Sequence, residues 1–145
     1  MKIFVLNGPN LNMLGTREKA IYGPNTLKEI EDFTTSKLDP DIFNLQWWQS
    51  NSESEIIDRI QKLTNENFDA LIINPAAFSH TSIAILDALR MLKIPIAEVH
   101  LSNVYTRESF RHSLLTAQAA SIIMSGLGKS GYYYAALALA DLKKG

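Results

Sequence analysis

The sequence predicts an α/β protein with a doubly wound, five-stranded parallel sheet that has helices on both faces. Two features of the 145-residue chain carry this prediction. Short β-prone segments alternate with helix-forming segments throughout, and most of the β-prone segments are continuously apolar, which is typical of strands buried on both faces. Right-handed crossovers between five such strands most naturally produce the doubly wound arrangement.

Local signals in the first half of the chain predict two strands and two helices. The first strand is predicted over Ile3–Leu6, before a cluster of turn-forming residues. Thr26 can cap a helix that has apolar residues at helical spacing. The second strand is predicted over Asn44–Gln49, and Ser52 with Glu55 predicts a capping box at the start of the next helix.

The second half continues the alternation, so that residues 1–145 are predicted to form a single domain. Its predicted strands are Ala70–Ile73, Ile96–Val99 and Ala120–Met124. Thr81 or Ser82 can cap the helix between the first two of these strands, a short helix is expected near Glu108–Leu115, and Lys129–Lys143 is predicted as the closing helix. Because no internal repeat or linker interrupts the alternation, the expected layout is flavodoxin-like.

Composition excludes several kinds of function. The chain has no cysteine, so disulfides, thiolate catalysis and zinc–thiolate sites are excluded. Its net charge of −1 leaves no broad basic field for nucleic acid or a membrane surface. The sequence has no apolar run long enough to span a bilayer and no signal-peptide core at its start, so we expect a cytoplasmic location.

Polar residues collect where the predicted strands end. Ligands of open parallel sheets bind beyond the carboxyl ends of the strands. Amides, hydroxyls and two histidines occupy those positions in four loops: Asn7, Asn10, Ser50, Asn51, Asn74, His80, His100, Ser102 and Asn103. His100 directly follows a buried strand, which places an imidazole at the mouth of the sheet. The enrichment predicts a binding or catalytic site at this edge.

Other classes of protein fit the pattern less well. The segment Gly126–Gly131 matches the dinucleotide-binding pattern G-x-G-x-x-G, but no further strand follows it, so a tight turn is the simpler interpretation. A flavodoxin-like binding or signalling module would need a phosphate-cradling loop after the first strand or acidic residues at the strand ends. Asn7 and Asn74 stand there instead. A metal-dependent hydrolase is disfavoured because no His, Asp and Glu cluster has ligand spacing.

Six segments that run in order over the whole chain give a more specific signal: NGPNLNMLGTRE at 7–18, IYG at 21–23, QSNSESEIID at 49–58, INPAAFSHTS at 73–82, EVHLSNVYTRESFRH at 98–112 and GLGKSGY at 126–132. Together they resemble the type II 3-dehydroquinate dehydratases. The resemblance implies an anti elimination of water from 3-dehydroquinate through an enolate, giving 3-dehydroshikimate, in the shikimate pathway or in quinate breakdown. It also implies catalysis without a metal or organic cofactor, and a homododecamer built from four trimers.

The resemblance further implies roles for individual residues. The catalytic base is Tyr22, which lies on a mobile lid at about residues 16–24 that also carries Arg17. His100 is the general acid. Asp87 matches an aspartate that reaches into the site of a neighbouring subunit. The other positions that hold the substrate are Asn74, His80, Leu101, Ser102 and Arg111.

The implied chemistry is physically consistent with these residue types. The elimination needs a base, a group that stabilises an enolate and an acid for the departing hydroxyl. A free tyrosine is ionised to roughly one part in a thousand at pH 7, so it needs a nearby cation. Arg17 is the expected cation, and Arg107 is a second contributor. Asn10 can hold a water at the enolate oxygen, and Glu98 can orient His100 because residues two apart on a strand share a face.

The sequence also departs from the family pattern at several positions. Ala76 stands where a glycine is usual, directly beyond Asn74 and Pro75. Lys19 stands where a proline is common in the lid. None of the departures removes a catalytic group. We expect the Ala76 methyl to crowd the backbone near the substrate and Lys19 to change the stiffness of the lid.

Overall fold

The computed structural model describes residues 1–16 and 18–145, and within these ranges five strands form one parallel sheet. The strands are β1 Lys2–Asn7, β2 Asn44–Gln49, β3 Ala70–Asn74, β4 Ile96–His100 and β5 Ile122–Ser125. Their order across the sheet is β2-β1-β3-β4-β5. All pairings are parallel, which confirms the predicted doubly wound, flavodoxin-like sheet.

Helices cover both faces of the sheet. They are α1 Lys19–Tyr22, α2 Leu27–Lys37, α3 Glu53–Leu63, α4 Ile83–Leu89 and α5 Gly131–Lys144. Successive side chains of a strand point to opposite faces, so Val5 packs with α2 and α5 while Leu6 packs with α3 and α4. Two apolar cores therefore enclose the central strands, whose residues are buried almost without exception.

The register of the central strands brings polar residues together at one edge. Asn7 at the end of β1 lies opposite Asn74 at the end of β3. His100 ends β4 and lies opposite Ser125 of β5. Because parallel strands all end at the same edge, these side chains meet beyond the sheet although they are far apart in sequence.

The predicted boundaries are wrong in the last third of the chain. The fifth strand was expected over Ala120–Met124 but covers Ile122–Ser125, because Ala120 still caps the 3-10 helix Thr116–Ala119 and pairing with β4 starts at Ile122. The helix expected near Glu108–Leu115 is reduced to one 3-10 turn, Ser109–Arg111. Short polar segments of this kind form turns when no apolar stripe stabilises a longer helix.

Helix caps follow the sequence in most places. Thr26 forms a complete capping box: its hydroxyl oxygen accepts the Glu29 N–H at 3.1 Å, and the Glu29 carboxylate accepts the Thr26 N–H at 2.8 Å. The box expected at Ser52 is only half formed. The Ser52 hydroxyl oxygen accepts the Glu55 N–H at 3.3 Å, but the Glu55 carboxylate accepts the Ser50 hydroxyl instead. Ser50 competes successfully because it sits at the end of β2, beside the helix start.

Two further details concern the later helices. Ser82 rather than Thr81 caps α4, since its hydroxyl oxygen accepts the Ile85 N–H at 2.9 Å. The closing helix begins at Gly131 rather than at Lys129, because residues 128–130 form a 3-10 turn.

None of the helices in the described part of the chain has both the length and the apolar character needed to cross a membrane.

Candidate active site

A pocket opens beyond the carboxyl ends of β1, β3 and β4, at the edge where the sequence predicts a site. Most of the predicted site residues line it: Asn10, Tyr22, Asn74, His80, His100, Leu101, Ser102, Arg107 and Arg111. Strand ends supply Asn74 and His100, and the loops after the strands supply the remaining residues. Arg17 lies outside the described residues.

His100 is held from behind by a buried carboxylate. Its Nε2 lies 2.7 Å from Oε1 of Glu98, which is two residues earlier on β4 and fully enclosed. A carboxylate only accepts, so the ring N–H at Nε2 donates to it. The contact expected from the strand geometry is therefore confirmed. It leaves Nδ1 as the ring nitrogen of His100 that can face a ligand.

His80 lies beside His100, with the two rings nearly parallel and their centroids 6.5 Å apart. Nδ1 of His80 lies 2.9 Å from the carbonyl oxygen of Ser113, so Nδ1 carries the proton and donates. Burial lowers the pKa of His80 below its ordinary value, although the Ser113 hydrogen bond opposes the shift. A neutral His80 therefore presents Nε2 as a hydrogen-bond acceptor.

The Tyr22 hydroxyl contacts the guanidinium group of Arg107 in the pocket. Nη1 of Arg107 donates to the Tyr22 hydroxyl oxygen at 3.2 Å and to the Ser102 hydroxyl oxygen at 3.2 Å. The guanidinium carbon lies 5.2 Å from the centre of the Tyr22 ring, close enough for a cation–π interaction. The Arg107 side chain is only 10% exposed, so water screens its charge weakly. The phenol oxygen is thus set beside a positive charge.

Tyr22 reaches the pocket from a single helical turn with unusual backbone on both sides. It ends α1, which starts at Lys19. Glu18 before the turn has a φ of 30° and Gly23 after it has a φ of 83°. These positive φ values bound the turn on both sides, and Tyr22 at its end lines the pocket. The mobility expected of this lid remains a prediction.

The family of the chain follows from comparison with known proteins. The family model for class II dehydroquinases matches residues 1–140. The chain belongs to the class II dehydroquinase family. A 3-dehydroquinate dehydratase of Idiomarina loihiensis is 49% identical over 134 residues, which is 92% of this chain and 88% of the relative. One of Aliarcobacter butzleri is 46% identical over 98% of this chain and 86% of the relative.

Solved structures support the same family. A type II dehydroquinase from Butyrivibrio crossotus superposes with a TM-score of 0.93 at 41% identity, covering 97% of each chain. One from Propionibacterium acnes gives a TM-score of 0.88 at 38% identity, covering 99% of this chain and 97% of the other. The chain therefore has a dehydroquinase fold over essentially its whole length, and the pocket described above lies in that fold.

Two members of the predicted set lie outside the pocket wall. Glu98 is behind His100, as described above. Asp87 is exposed on α4, and it does not line the pocket of its own chain. The position of Asp87 is compatible with the role expected in a neighbouring dehydroquinase subunit, and that role stays a prediction.

Ala76, which departs from the family's usual glycine, lies in the pocket wall with a φ of 52°. This is the left-handed region that favours glycine. The Asn74 side-chain oxygen accepts the Ala76 N–H at 3.1 Å and so supports the turn. The chain thus keeps a glycine-like backbone while adding a methyl group.

Sequence reasoning missed two buried residues behind the pocket. The Tyr132 hydroxyl donates to the Asn7 side-chain oxygen at 2.6 Å and accepts from the Asn74 side-chain nitrogen at 3.0 Å. The Thr116 hydroxyl donates to Glu98 at 2.7 Å. Burial raises the pKa of Tyr132, so its phenol stays protonated. Tyr132 is the last residue of the family-like segment at 126–132, so the resemblance could have pointed to it. No sequence pattern around Thr116 indicates a contact with Glu98.

No metal site is evident in residues 1–16 and 18–145, where no three His, Asp or Glu side chains group closely enough to hold an ion. The polar groups that reach the pocket are amides, imidazoles, hydroxyls and guanidinium groups. Such a set suits an anionic, hydroxylated ligand, because guanidinium groups pair with carboxylates and the others bond hydroxyls.

Proposed function

We propose that the chain dehydrates 3-dehydroquinate to 3-dehydroshikimate in this pocket, with Tyr22 as the base and His100 as the acid. Membership of the class II dehydroquinases and relatives named 3-dehydroquinate dehydratase support the reaction, which is that of a hydro-lyase. The observation that carries the residue roles is the Tyr22 oxygen 3.2 Å from the Arg107 guanidinium, in the same pocket as His100.

In the first half of the reaction, the ionised Tyr22 oxygen removes the proton alpha to the substrate ketone. The positive charge of Arg107 stabilises the phenolate by about 1–4 kcal/mol, depending on the effective dielectric. We expect Arg17 to add a second charge when the lid closes. Asn10 lines the pocket, and its backbone N–H is fixed by the Asn51 side chain at 2.9 Å. We propose that its side-chain amide holds a water at the enolate oxygen.

In the second half, the enolate collapses and the beta hydroxyl leaves as water. His100 gives this hydroxyl its proton from Nδ1. Glu98 accepts the Nε2 N–H and keeps the ring oriented, so that Nδ1 faces the substrate. Tyr22 has then gained one proton and His100 has lost one. Transfer of a proton from Tyr22 through the pocket to His100 restores both starting states, so no cofactor enters the proposed step.

The remaining pocket residues hold the substrate. Arg111 can pair with the substrate carboxylate, although Glu108 now occupies its Nε at 2.8 Å. Glu108 is exposed, so this surface ion pair is easily exchanged for a bound carboxylate. Asn74, His80, Leu101 and Ser102 are proposed to bind the ring hydroxyls and the carboxylate.

The test of the reaction is to add 3-dehydroquinate and follow the ultraviolet absorbance of the conjugated enone product. Absence of product at any enzyme concentration would refute the proposed function. Chelator should not change the rate. Treatment with borohydride plus substrate should leave the enzyme active, because no Schiff base forms, and inactivation would contradict the mechanism.

Replacement of the base tests its assignment. Tyr22→Phe should abolish turnover while binding of substrate analogues and the melting temperature stay unchanged, since only the phenol oxygen is lost. Tyr105→Phe, at an exposed tyrosine outside the pocket, is the matched control and should keep the wild-type rate. If Tyr22→Phe retains even a tenth of the wild-type rate, the base lies elsewhere.

Assembly, lid and location complete the proposal. We propose a homododecamer of four trimers in which Asp87 reaches a neighbouring site, a lid at residues 16–24 that closes over bound substrate, and a cytoplasmic location. The family resemblance supports the first two. The activity fits aromatic biosynthesis and quinate breakdown equally, because both use this reaction.

A further inference from the structure

A buried chain of three side chains leads away from the proposed acid. Nε2 of His100 contacts Oε1 of Glu98 at 2.7 Å, and the Thr116 hydroxyl donates to Oε2 at 2.7 Å. Glu98 and Thr116 are both fully enclosed, and His100 is 6% exposed. Each carboxylate oxygen of Glu98 therefore has one donor, and each donor comes from a different part of the chain.

We infer that Thr116 is a positioning residue for the reaction: it holds the Glu98 carboxylate, which in turn orients the His100 ring. This inference deepens the proposed function and rests on it, because it concerns the same acid. Thr116 itself touches neither the pocket nor the reacting atoms. It would act only through Glu98.

The surroundings of Glu98 explain why a second donor matters. Its neighbours in register on the adjacent strands are Ile73 of β3 and Ile123 of β5. Those strands offer it no polar side chain at this level of the sheet. A buried carboxylate keeps its charge only when hydrogen bonds replace the lost water. The Thr116 hydroxyl supplies one of the two hydrogen bonds present.

Loss of that hydroxyl leaves Oε2 of Glu98 without its donor in an enclosed site. With donors on both oxygens, the plane of the carboxylate is fixed, and Oε1 holds the Nε2 N–H of His100 in one direction. With the Thr116 donor removed, only one hydrogen bond holds the carboxylate, which can then rotate and let the His100 ring turn with it. A misdirected Nδ1 weakens the acid and leaves the substrate-holding groups in place.

A backbone contact next to Thr116 fixes the position from which its hydroxyl reaches Glu98. Thr116 opens the 3-10 helix Thr116–Ala119, and the N–H of Leu115 just before it donates to the Ser79 carbonyl oxygen at 2.7 Å. That contact ties the segment to the loop carrying His80. The segment is thus held where the side chain at position 116 meets Glu98 of β4. A threonine or a serine there can donate a hydrogen bond to the carboxylate, and a valine cannot.

The experiment compares Thr116→Val, which keeps the shape and removes the donor, with Thr116→Ser, which keeps the donor. Thr34→Val is the matched control, because Thr34 is equally buried and its hydroxyl donates only to the Ile30 carbonyl oxygen within α2. For Thr116→Val we expect kcat to fall roughly tenfold or more with KM within about twofold, as for loss of support to a general acid. Thr116→Ser and Thr34→Val should keep kcat within about twofold.

A readout without substrate separates this inference from the proposed function. The imidazole 15N and 1H signals of His100 should be alike in wild type and Thr116→Ser and should shift in Thr116→Val. If wild type makes no enone but these signals behave as stated, the reaction is wrong and the positioning role stands. The inference is overturned if Thr116→Val keeps kcat and the imidazole signals of wild type, or if Thr116→Ser is as slow as Thr116→Val. If Thr116→Val does not fold, Thr116→Cys replaces it, because cysteine keeps the packing and is a weak donor. Thr116→Cys should give a kcat between those of wild type and a variant without a donor. A wild-type kcat in Thr116→Cys would also overturn the inference.

Discussion

At the scale of single residues, Ala76 stores strain at the edge of the pocket. Its φ of 52° is the left-handed conformation, in which an L-residue brings Cβ close to the following carbonyl oxygen. That conformation costs roughly 1–2 kcal/mol. The hydrogen bond from the Ala76 N–H to the Asn74 side chain offsets part of the cost. Strain of this kind persists only where surrounding contacts enforce the conformation.

Replacement of Ala76 by glycine should stabilise the protein. We expect Ala76→Gly to raise the free energy of unfolding by about 0.5–1 kcal/mol, since relief of strain exceeds the entropy that glycine adds to the unfolded chain. Urea unfolding measures the change. Ala77→Gly, at the next position of the same 3-10 helix and without a positive φ, should not stabilise. A less stable Ala76→Gly variant would contradict the strain.

His80 should make stability depend on pH. Burial holds its pKa below the ordinary value, so the unfolded chain binds a proton more readily than the folded chain. The stabilisation is complete above the ordinary histidine value near 6.5 and is lost as pH falls through that value toward the lower folded value. Urea midpoints between pH 7.5 and about 5.5 should therefore fall.

The matched variants identify which imidazole is responsible for that slope. His80→Gln should flatten the pH dependence in this window, since glutamine does not titrate. His112→Gln, at an exposed histidine outside the pocket, should leave it unchanged. An identical slope in wild type and His80→Gln would show that another group titrates there.

At the scale of elements, the loops after β1 and β3 pack against each other through Gly8. The Gly8 N–H donates to the Asn74 carbonyl oxygen at 2.8 Å. A Cβ at Gly8 would lie 2.5 Å from the carbonyl oxygen of Pro75 and 2.7 Å from its carbonyl carbon. Both are backbone atoms that cannot rotate away. The strand register already places Asn7 beside Asn74, where both bond the Tyr132 hydroxyl, and the close loop packing holds the end of β3 in that position.

A methyl group at Gly8 should therefore damage both fold and site. We expect Gly8→Ala to lower the free energy of unfolding by about 1–3 kcal/mol, as overpacking does, and to reduce kcat/KM because Asn74 moves with its loop. Gly128→Ala is the comparison: its cost arises from a φ of 55°, and nothing lies within 4 Å of the added Cβ. It should lose stability and keep more of its turnover than Gly8→Ala, because no backbone is pushed aside. Full activity in Gly8→Ala would refute the coupling.

At the scale of the whole molecule, α4 presents a surface that a lone chain leaves uncovered. Ile83 is 63% exposed and Met91, just beyond the helix, is 49% exposed. Asp87 lies one helical turn after Ile83, so it shares that face. An acidic residue flanked by exposed apolar side chains is consistent with the assembly that the family resemblance implies.

The assembly can be tested by mass and by activity together. Light scattering should give a mass near twelve times the 16.2 kDa chain. Asp87→Asn should lower turnover without changing that mass, because the carboxylate would act in a neighbouring site rather than hold subunits together. Asp58→Asn, at an exposed aspartate of α3, is the control and should be inert. A monomeric mass with full activity would refute the proposed assembly.

The sequence by itself determined the fold class and the edge of the sheet that carries the site. Alternating apolar strands and amphipathic helices are local patterns, and the parallel sheet follows from them. The contact between Glu98 and His100 was also predictable, because a strand places residues two apart on the same face. The family-like segments then supplied roles that residue types alone left open. The cap at Thr26 was also predictable, because its hydroxyl meets a backbone N–H only three residues later in the same helix.

Only the tertiary structure decided which distant residues meet. Tyr22 and Arg107 are 85 positions apart, Asn7 and Tyr132 are 125 apart, and no local pattern encodes either hydrogen bond. The order of strands and the depth of each loop set these contacts, and Thr116 reaches Glu98 for the same reason. Competition between nearby donors likewise settled the half-formed cap at Ser52. A hydrogen bond depends on ångström-scale placement of both partners, and that placement arises only once the whole sheet is packed.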